Sequence, residues 1–315
     1  MLELKEITTY ELANLEEKLD LKLPIWASAK NTSYYEERKV LTVWKGEKIK
    51  AIYTIPILNI NNRKIVDRKL RFFPYVSPII YETDNVRRRE IILIIFKHII
   101  ANYESLSIPL FPEFKDVAPI QSLGIFVECW HTHTLKEPIN VEKVPARLRN
   151  HINNARKAIK IVIDTDYKNY SFEQAIKGPK DEIEIRTKSG INLIKNKNGF
   201  FVTGIEIETG KKMGGIMIAY DNEWAYLLHS WRSKEAPRGI IPALIQKATE
   251  ISFNEKKVKV FDFEGAVIQN IDIFFSGFNA EITTYPYLFW SKDKNEFINM
   301  IEDSINIEGR LIEGE

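Results

Sequence analysis

Residues 257–287 constrain the fold of this chain more than any other stretch. They combine a short apolar strand ending in Asp262-Phe263-Glu264-Gly265, an aromatic helix and a second strand. In α/β folds, strand ends that carry polar side chains and a glycine are common positions for chemistry. The stretch therefore predicts an α/β fold with a candidate site at residues 262–265.

The composition indicates a globular protein of two domains. The chain has 315 residues, of which 44% are hydrophobic and 28% are charged, as in soluble folded proteins. Its 45 Lys and Arg residues nearly balance 43 Asp and Glu residues, which gives a formal charge of +2. This balance argues against a dedicated nucleic-acid or membrane-surface protein.

Three features indicate a cytoplasmic protein without membrane insertion. The single cysteine, Cys129, excludes a disulfide within the chain and fits a reducing compartment. Residues 1–20 lack the basic-then-apolar order of a signal peptide. The longest apolar run, 91–96, is too short to span a bilayer.

The same order of elements occurs in both halves of the chain. The first half predicts a helix at 9–20, a hairpin at 40–59 around Gly46, an irregular loop at 71–81, a helix at 86–104 and a strand at 105–112. The second half predicts strands at 199–209, 211–221 and 222–231, a helix at 240–253 and a strand at 258–265. The repeated order indicates structural duplication. We expect a boundary near Pro138, with domains at 1–137 and 138–315.

A basic helix is predicted at 147–160. Arg149, Arg156 and Lys160 follow the spacing i, i+7, i+11, which keeps them on one helix face. Such a face could bind an anionic partner, or it could simply be solvated while the apolar side packs on the domain.

The loop 230–239 leads into the predicted helix at 240–253. The start of a helix exposes backbone N–H groups and the positive end of the helix dipole, so it can hold a phosphate or carboxylate. We therefore predict that residues of this loop bind an anionic group of a ligand: Arg232, Lys234, Arg238 and Gly239.

Four residues are candidates for proton transfer. Asp262 and Glu264 alternate with two phenylalanines, so a strand would place both carboxylates on one side, where one could act as a base. The alternative is that one carboxylate caps the next helix and the other pairs with an arginine. His229 and Tyr226 could line the same cleft, although a buried histidine with a satisfied partner is the alternative for His229.

Cys129, His131 and His133 alternate along a predicted strand and so share one face. Histidines at i and i+2 can share a metal, but no fourth ligand is evident nearby in the sequence. We therefore expect a strand at the domain junction and no metal site.

Several segments resemble the FemABX-like branch of the GNAT acyltransferases, and the resemblance covers most of the chain. The most specific is FDFEGAVIQNIDIFFSGFNAEITTYPYL, in which Ala266 stands for the usual serine and Asn279 for a glycine. Asn153–Lys160 is similar to the basic helix of that family and includes Arg156 and Lys157. The loop before residue 240 departs from the pyrophosphate-binding pattern of GNAT enzymes, with Ala236 in place of Gln or Arg and Ile241 in place of a small residue.

The resemblance implies two tandem GNAT-like domains of α/β (α+β) class, with mixed central sheets flanked by helices. It implies N-acyl transfer, of an acetyl or aminoacyl group, to an amine acceptor such as a small molecule or a cell-wall precursor peptide. The altered loop favours an aminoacyl-tRNA donor, while acetyl-CoA or another acyl-CoA stays open; no cofactor is expected to be tightly bound. Under this resemblance the basic helix at 147–160 could contact tRNA. The donor-binding candidates are then Arg156 and Lys157 of that helix and Arg232, Lys234, Arg238 and Gly239 of the loop. The alternative is an inactive protein that keeps the fold for binding or scaffolding.

Overall fold

A computed structural model describes residues 1–31, 37–67, 75–166, 170–175, 180–265 and 269–309. The chain divides into two units, Met1–His131 with Thr284–Glu315, and Thr132–Thr283. Both divisions fall inside single continuous strands, Phe126–Leu135 and Glu281–Ser291. The sequence-based boundary after residue 137 stays a prediction of domain organisation.

The first unit contains a mixed sheet and the 18-residue helix that connects two of its strands. Its elements are β1 (Leu2–Ile7), α1 (Thr9–Lys18), β2 (Glu37–Lys45), β3 (Lys48–Ile60), β4 (Arg63–Asp67), β5 (Ile79–Ile80), α2 (Asn85–Asn102), β6 (Ser105–Pro109), α3 (Ala118–Gln121) and the first part of β7 (Phe126–Leu135). Strands β1 to β4 pair antiparallel in sequence order, and β6 then pairs parallel to β4. Helix α2 connects these two parallel strands.

Local signals explain the elements of this unit. Thr8 and Glu11 form a capping box at the start of α1. Gly46, with a φ of +58°, makes the turn between β2 and β3. Asp84 accepts a hydrogen bond from the backbone of Arg87 and so caps α2. The predicted first helix, hairpin and second helix are confirmed; residues 71–74 of the predicted loop lie outside the described residues.

The second unit repeats this arrangement. Its elements are the end of β7, α4 (Ala146–Ala158), β8 (Ile159–Asp164), α5 (Phe172–Ala175), α6 (Lys180–Lys195), β9 (Gly199–Glu206), β10 (Lys212–Tyr220), β11 (Trp224–Arg232), α7 (Ile240–Asn254), β12 (Val260–Asp262), α8 (Gln269–Ser276) and the start of β13 (Glu281–Ser291); α9 (Lys294–Gly309) follows in the first unit. Strands β8 to β11 pair antiparallel in sequence order, and β12 pairs parallel to β11. Helix α7 connects β11 to β12, as α2 connects β4 to β6. The predicted duplication is therefore confirmed at the level of topology.

In each unit a further strand pairs with the second strand of the parallel pair. In the first unit β13 pairs antiparallel with β6, and in the second β7 pairs antiparallel with β12. Each unit thus has a mixed sheet flanked by helices, which confirms the α/β class predicted from the sequence.

Two glycines set the distance between α7 and its sheet. Gly204 and Gly214 are register partners on β9 and β10. A Cβ atom at either position would lie 3.0–3.2 Å from the side chain of Ile240, the first residue of α7. The absence of side chains there lets the start of α7 rest directly on the sheet.

The structure corrects two details of the sequence interpretation. Helix α4 ends at Ala158 and Lys160 belongs to β8, so Lys160 does not share a helix face with Arg149 and Arg156. Glu264 has a φ of +61°, so the alternation of the strand ends before it and does not fix the direction of its side chain.

Within the ranges that the structure describes, no helix combines the length and the apolar character needed to cross a bilayer.

Candidate functional site

A cavity of about 860 Å³ opens at the start of α7 in the second unit. It lies between α4, the loop after β11, the first turn of α7 and α8. Its lining residues are Pro145, Arg147, Leu148, His151, Arg232, Arg238, Gly239, Ile240, Ile241, Pro242, Ile273, Phe274 and Gly277. The cavity therefore combines an apolar wall with three arginines and a helix N-terminus.

The first turn of α7 offers backbone donors to this cavity. Gly239 is the N-cap residue, with a φ of +90°, and no side chain in the described part of the chain caps the helix. Ile240 donates its N–H to Pro237, and Pro242 has no N–H. Among the described residues, the N–H groups of Gly239 and Ile241 donate to no backbone carbonyl. They are available to an anion at the positive end of the helix dipole.

Three guanidinium groups add positive charge to the cavity. Within the described ranges, Arg147, Arg232 and Arg238 form no ion pair or hydrogen bond with another residue. Some other basic residues of the unit are paired, among them Arg149 with Glu142 and Lys211 with Glu235. Unpaired positive charge beside a helix N-terminus is an environment that favours binding of a phosphate or a carboxylate.

The predicted donor-binding residues separate into two groups. Arg232, Arg238 and Gly239 line the cavity, whereas Lys234, Arg156 and Lys157 do not. The guanidinium of Arg156 bonds the side chain of Gln246 on α7, so it helps to hold two helices together. Lys157 and Lys234 are exposed.

Sequence reasoning did not assign several residues of the cavity to the candidate site, although Arg147 and His151 belonged to the basic helix predicted at 147–160. Arg147 and His151 lie one turn apart on α4, and this i, i+4 spacing was a signal that they share a face. Ile273 and Phe274 form part of the apolar wall from α8. Nothing in the local sequence links α8 to the start of α7.

Asp262 organises the loop that follows β12. Its side chain is fully buried, and its Oδ1 accepts hydrogen bonds from the Thr132 hydroxyl at 2.6 Å and from the Glu264 N–H at 2.8 Å. The hydroxyl oxygen of Thr132 in turn accepts a hydrogen bond from the Gly265 N–H at 2.9 Å. Asp262 therefore fixes the turn that carries Glu264, which is half-buried.

Tyr226 and Asp262 are neighbours across the sheet. They are register partners in the parallel pair of β11 and β12, so their side chains share a face about 4.8 Å apart at the backbone. Phe261 and Phe263 belong to the core beneath α7, which places Asp262 and Tyr226 on the opposite face.

The parallel ladder ends at this pair, while β11 continues to Arg232. The register of β10 and β11 also shifts between Met217 and Ile218, which leaves Leu228 as a bulge residue. Bulges re-aim backbone groups and are frequent beside active sites. The second half of β11 therefore runs past the end of β12 toward the carboxyl edge, where α7 begins.

His229 lies just after the bulge and is half-buried. It is the register partner of Met217, whose neighbours Ile216 and Ile218 point into the core beneath α7, so His229 shares the opposite face with Tyr226. Burial, reinforced by the positive charge of Arg186, lowers the pKa of His229 from 6.5 to about 3. His229 is therefore neutral at physiological pH and could accept a proton only from a strong acid.

This shift predicts a pH dependence of stability. The unfolded chain protonates His229 below its ordinary pKa and the folded chain does not, so stability should fall as the pH drops from about 6.5 toward 3. At pH 5 the loss attributable to this group should be at most about 2 kcal/mol. Urea unfolding at pH 7.5 and pH 5 should show a smaller decrease for His229→Gln than for the wild type. Equal decreases for both proteins would refute the assigned pKa.

Comparisons with known proteins define the fold. No protein-family model matches the sequence, and no curated protein matches it. A structure of FemX superimposes with a TM-score of 0.61 at 11% identity, covering 90% of this chain and 96% of that chain. The L-PGS structure from Bacillus licheniformis gives a TM-score of 0.58 at 13% identity and covers 99% of each chain. A tandem GNAT protein of the clavulanic acid biosynthesis pathway gives 0.56 at 11% identity, covering 92% of this chain and 98% of that chain.

These similarities extend over nearly the whole length of each chain, so both units contribute to them. The chain therefore shares the fold of these proteins, which include a tandem GNAT protein, as the sequence resemblance predicted. At such identities the likeness shows the fold, and the site has to carry the argument for function.

Proposed function

We propose that the protein is an N-acyltransferase that binds the anionic part of an acyl donor at the start of α7. The observation that carries the proposal is the cavity itself, where Arg147, Arg232 and Arg238 and two backbone N–H groups converge beside an apolar wall. An acyl-CoA and an aminoacyl-tRNA both present phosphate groups to such a site. The acceptor is an amine on a small molecule or a peptide.

The carboxyl edge of the second unit's sheet supports this assignment. The cavity lies where β11 leads into α7, and Glu264 follows the end of β12, which is parallel to β11. The carboxyl ends of neighbouring parallel strands lie on the same edge of a sheet, and ligands of open α/β sheets bind outside that edge. The acyl donor and Glu264, the candidate base, would therefore lie at the same edge of the second unit's sheet.

The reaction forms a C–N bond and breaks the ester or thioester bond of the donor. The amine nitrogen attacks the acyl carbonyl, and backbone N–H groups of 227–230, beside the bulge at Leu228, stabilise the negative charge on its oxygen. The tetrahedral intermediate then expels the thiolate or the ribose alkoxide. A base takes the proton from the attacking nitrogen, and the leaving group takes up a proton.

The candidate residues differ in how well they suit the role of base. We assign the base to Glu264, which is half-buried at the open end of β12, and a positioning role to Asp262, whose Oδ1 already accepts two hydrogen bonds. Tyr226 lies beside Asp262 and could protonate the leaving group. Neutral His229 could accept a hydrogen bond from the acceptor amine.

Substitutions at the two carboxylates separate these roles. Glu264→Gln should lower kcat by about 100-fold with an unchanged unfolding free energy, because a base contributes 10²–10⁴-fold to rate. Asp262→Ala should cost about 2–3 kcal/mol of stability, because it leaves the Thr132 hydroxyl and the Glu264 N–H without their buried acceptor. Asp262→Asn keeps one acceptor oxygen and should cost less. Wild-type rates for Glu264→Gln with a verified substrate would overturn the assignment of the base.

A thermal-shift series tests donor binding directly. Coenzyme A, acetyl-CoA and an aminoacyl-tRNA should be compared, because a ligand that binds only the folded state raises the melting temperature. Stabilisation by one donor class would identify the donor. No stabilisation by any of them would favour the alternative, a protein that uses the fold for binding or scaffolding.

A further inference from the structure

The outer edge of β8 is a surface of the second unit that the proposed acyl transfer does not use. Within the described ranges, β8 is the last strand of this unit's sheet and pairs with β9 alone. A strand edge of this kind presents a row of backbone N–H and C=O groups, onto which another strand can add. The donor cavity and the Asp262 loop are built from other elements.

The pairing of β8 with β9 shows which backbone groups point outward. Ala158, immediately before β8, accepts a hydrogen bond from the N–H of Ile207 at 3.1 Å. Residues of an antiparallel ladder alternate between those that bond to the neighbouring strand and those that point away from it. The even-numbered residues of 160–164 therefore bond to β9, and Ile161 and Ile163 direct their N–H and C=O groups toward the outer edge.

The side chains of β8 divide between two faces of the sheet. Ile161 packs against the core beneath α7, and Ile163, on the same face, is 44% exposed. Lys160 and Asp164 lie on the opposite face. Lys160 is exposed and, in the part of the chain that the structure describes, forms no hydrogen bond or ion pair. Asp164 accepts the N–H of Asp166 at 2.6 Å, and an ionised carboxylate has lone pairs left for a further donor.

We propose that β8 pairs antiparallel with β8 of a second copy of this chain, around a twofold axis at Val162. In this register Lys160 of each copy lies opposite Asp164 of the other, and Ile161 lies opposite Ile163. The two isoleucines have outward-pointing backbone groups, so they can exchange N–H to C=O hydrogen bonds across the axis. Opposite charges and β-branched residues directly across a ladder stabilise it, and the twofold axis repeats each pair.

Other registers lose this complementarity. Outward-pointing residues have to face one another, so the axis has to pass through a residue of the strand. An axis at Lys160 or Asp164 would place like charges together. An axis at Ile161 would place Lys160 opposite Val162, and an axis at Ile163 would place Asp164 opposite Val162. Because β8 complements its own sequence in the register centred on Val162, a second copy of the chain is the partner that it fits.

Sedimentation velocity of the full chain over a range of protein concentrations tests the pairing. The wild type should shift from monomer to dimer as the concentration rises. Ile163→Pro should stay monomeric at concentrations where the wild type is dimeric, because proline removes an outward N–H and leaves the bonds to β9 in place. Circular dichroism and thermal unfolding should show that this variant is folded.

Charge exchange tests the register. Lys160→Asp should raise the Kd of the dimer by roughly 30-fold, because it places like charges opposite each other on both sides of the axis. Lys160→Asp/Asp164→Lys should restore the Kd to within about threefold of the wild type, since the exchanged charges again lie opposite each other. Lys259→Asp is the matched control for net charge: Lys259 is exposed, strands β9, β10 and β11 separate it from β8, and the Kd should not change.

Three results would overturn the proposal. The first is a wild type that stays monomeric at every concentration. The second is a dimer that Lys160→Asp leaves intact, which would place the contact on another surface. The third is a double variant that dimerises no better than Lys160→Asp, which would exclude the register centred on Val162. These charge variants decide the matter even if Ile163→Pro fails to fold, because the side chain of Lys160 is exposed.

Discussion

Replacing Gly239 by alanine is expected to destabilise the protein by roughly 3 kcal/mol or more. Gly239 has a φ of +90°, which disfavours any residue with a Cβ atom. The new methyl group would also overlap the backbone carbonyl of His151, with only 2.5 Å to the carbonyl carbon. Helices α4 and α7 would have to move apart, and the N–H groups that face the cavity would move with them. Chemical denaturation measures the loss of stability, and donor titration measures the loss of binding.

Gly210→Ala provides a matched control for this substitution. Gly210 also has a positive φ, +72°, but a Cβ atom there would meet nothing within 4 Å. Gly210→Ala should therefore cost only the backbone strain of a positive φ, about 1 kcal/mol of stability. If both variants lost the same stability, the close approach of α4 to the start of α7 would not matter energetically.

Removing both Arg232 and Arg238 is expected to raise the donor KM by about 100-fold. Each guanidinium lines the cavity and, within the described ranges, has no acidic partner that competes with a ligand. A charge-assisted hydrogen bond contributes about 1.5–3 kcal/mol, and exposure to solvent reduces this to about tenfold in affinity for each arginine. The double variant Arg232→Ala/Arg238→Ala should change kcat much less, because the arginines contact the donor away from the reacting carbonyl. Steady-state kinetics with varied donor concentration measures both parameters.

A control for this variant removes two positive charges elsewhere in the same unit. Lys259 and Lys136 are exposed and paired with Glu223 and Glu281, so Lys259→Ala/Lys136→Ala should leave the donor KM within about twofold of the wild type. If the control raised KM as much as the arginine variant, net charge would explain the effect and the cavity would not be the donor site.

The duplicated topology was predictable because its signals are local. Gly46 marks one turn, and Gly210, with a φ of +72°, marks the corresponding turn between β9 and β10. Apolar periodicity defines α2 and α7, whose buried faces cover the two sheets. Such signals depend on residues only a few positions apart. The structure therefore differs little from what they predict.

The end of α4 shows how such a signal can be overlooked. The basic residues favoured a helix that continued to Lys160, yet Ile159, Ile161 and Ile163 alternate with other residues as in a strand. In the structure β8 begins at Ile159. A run of alternating β-branched residues therefore outweighed the basic helical pattern.

Which residues form the site depends on contacts between segments that are distant in the sequence. The loop residues Arg232, Arg238 and Gly239 were predicted because they precede a helix, whereas Ile273 and Phe274 reach the cavity only through the packing of α8. Similarly, Asp272 of α8 contacts His133 of β7, although the two residues are 139 positions apart in the sequence. Patterns in one segment cannot specify which other segment packs against it.

The most direct test of the proposed function is product analysis by mass spectrometry. Purified protein should be incubated with an acyl-CoA or an aminoacyl-tRNA and a set of amine acceptors that includes amino-terminated peptides. The wild type should add one acyl group to the nitrogen of an acceptor, and Arg232→Ala/Arg238→Ala should do so only at much higher donor concentration. Absence of any acylated amine with either donor class, from a folded protein whose melting temperature no donor changes, would contradict the assignment.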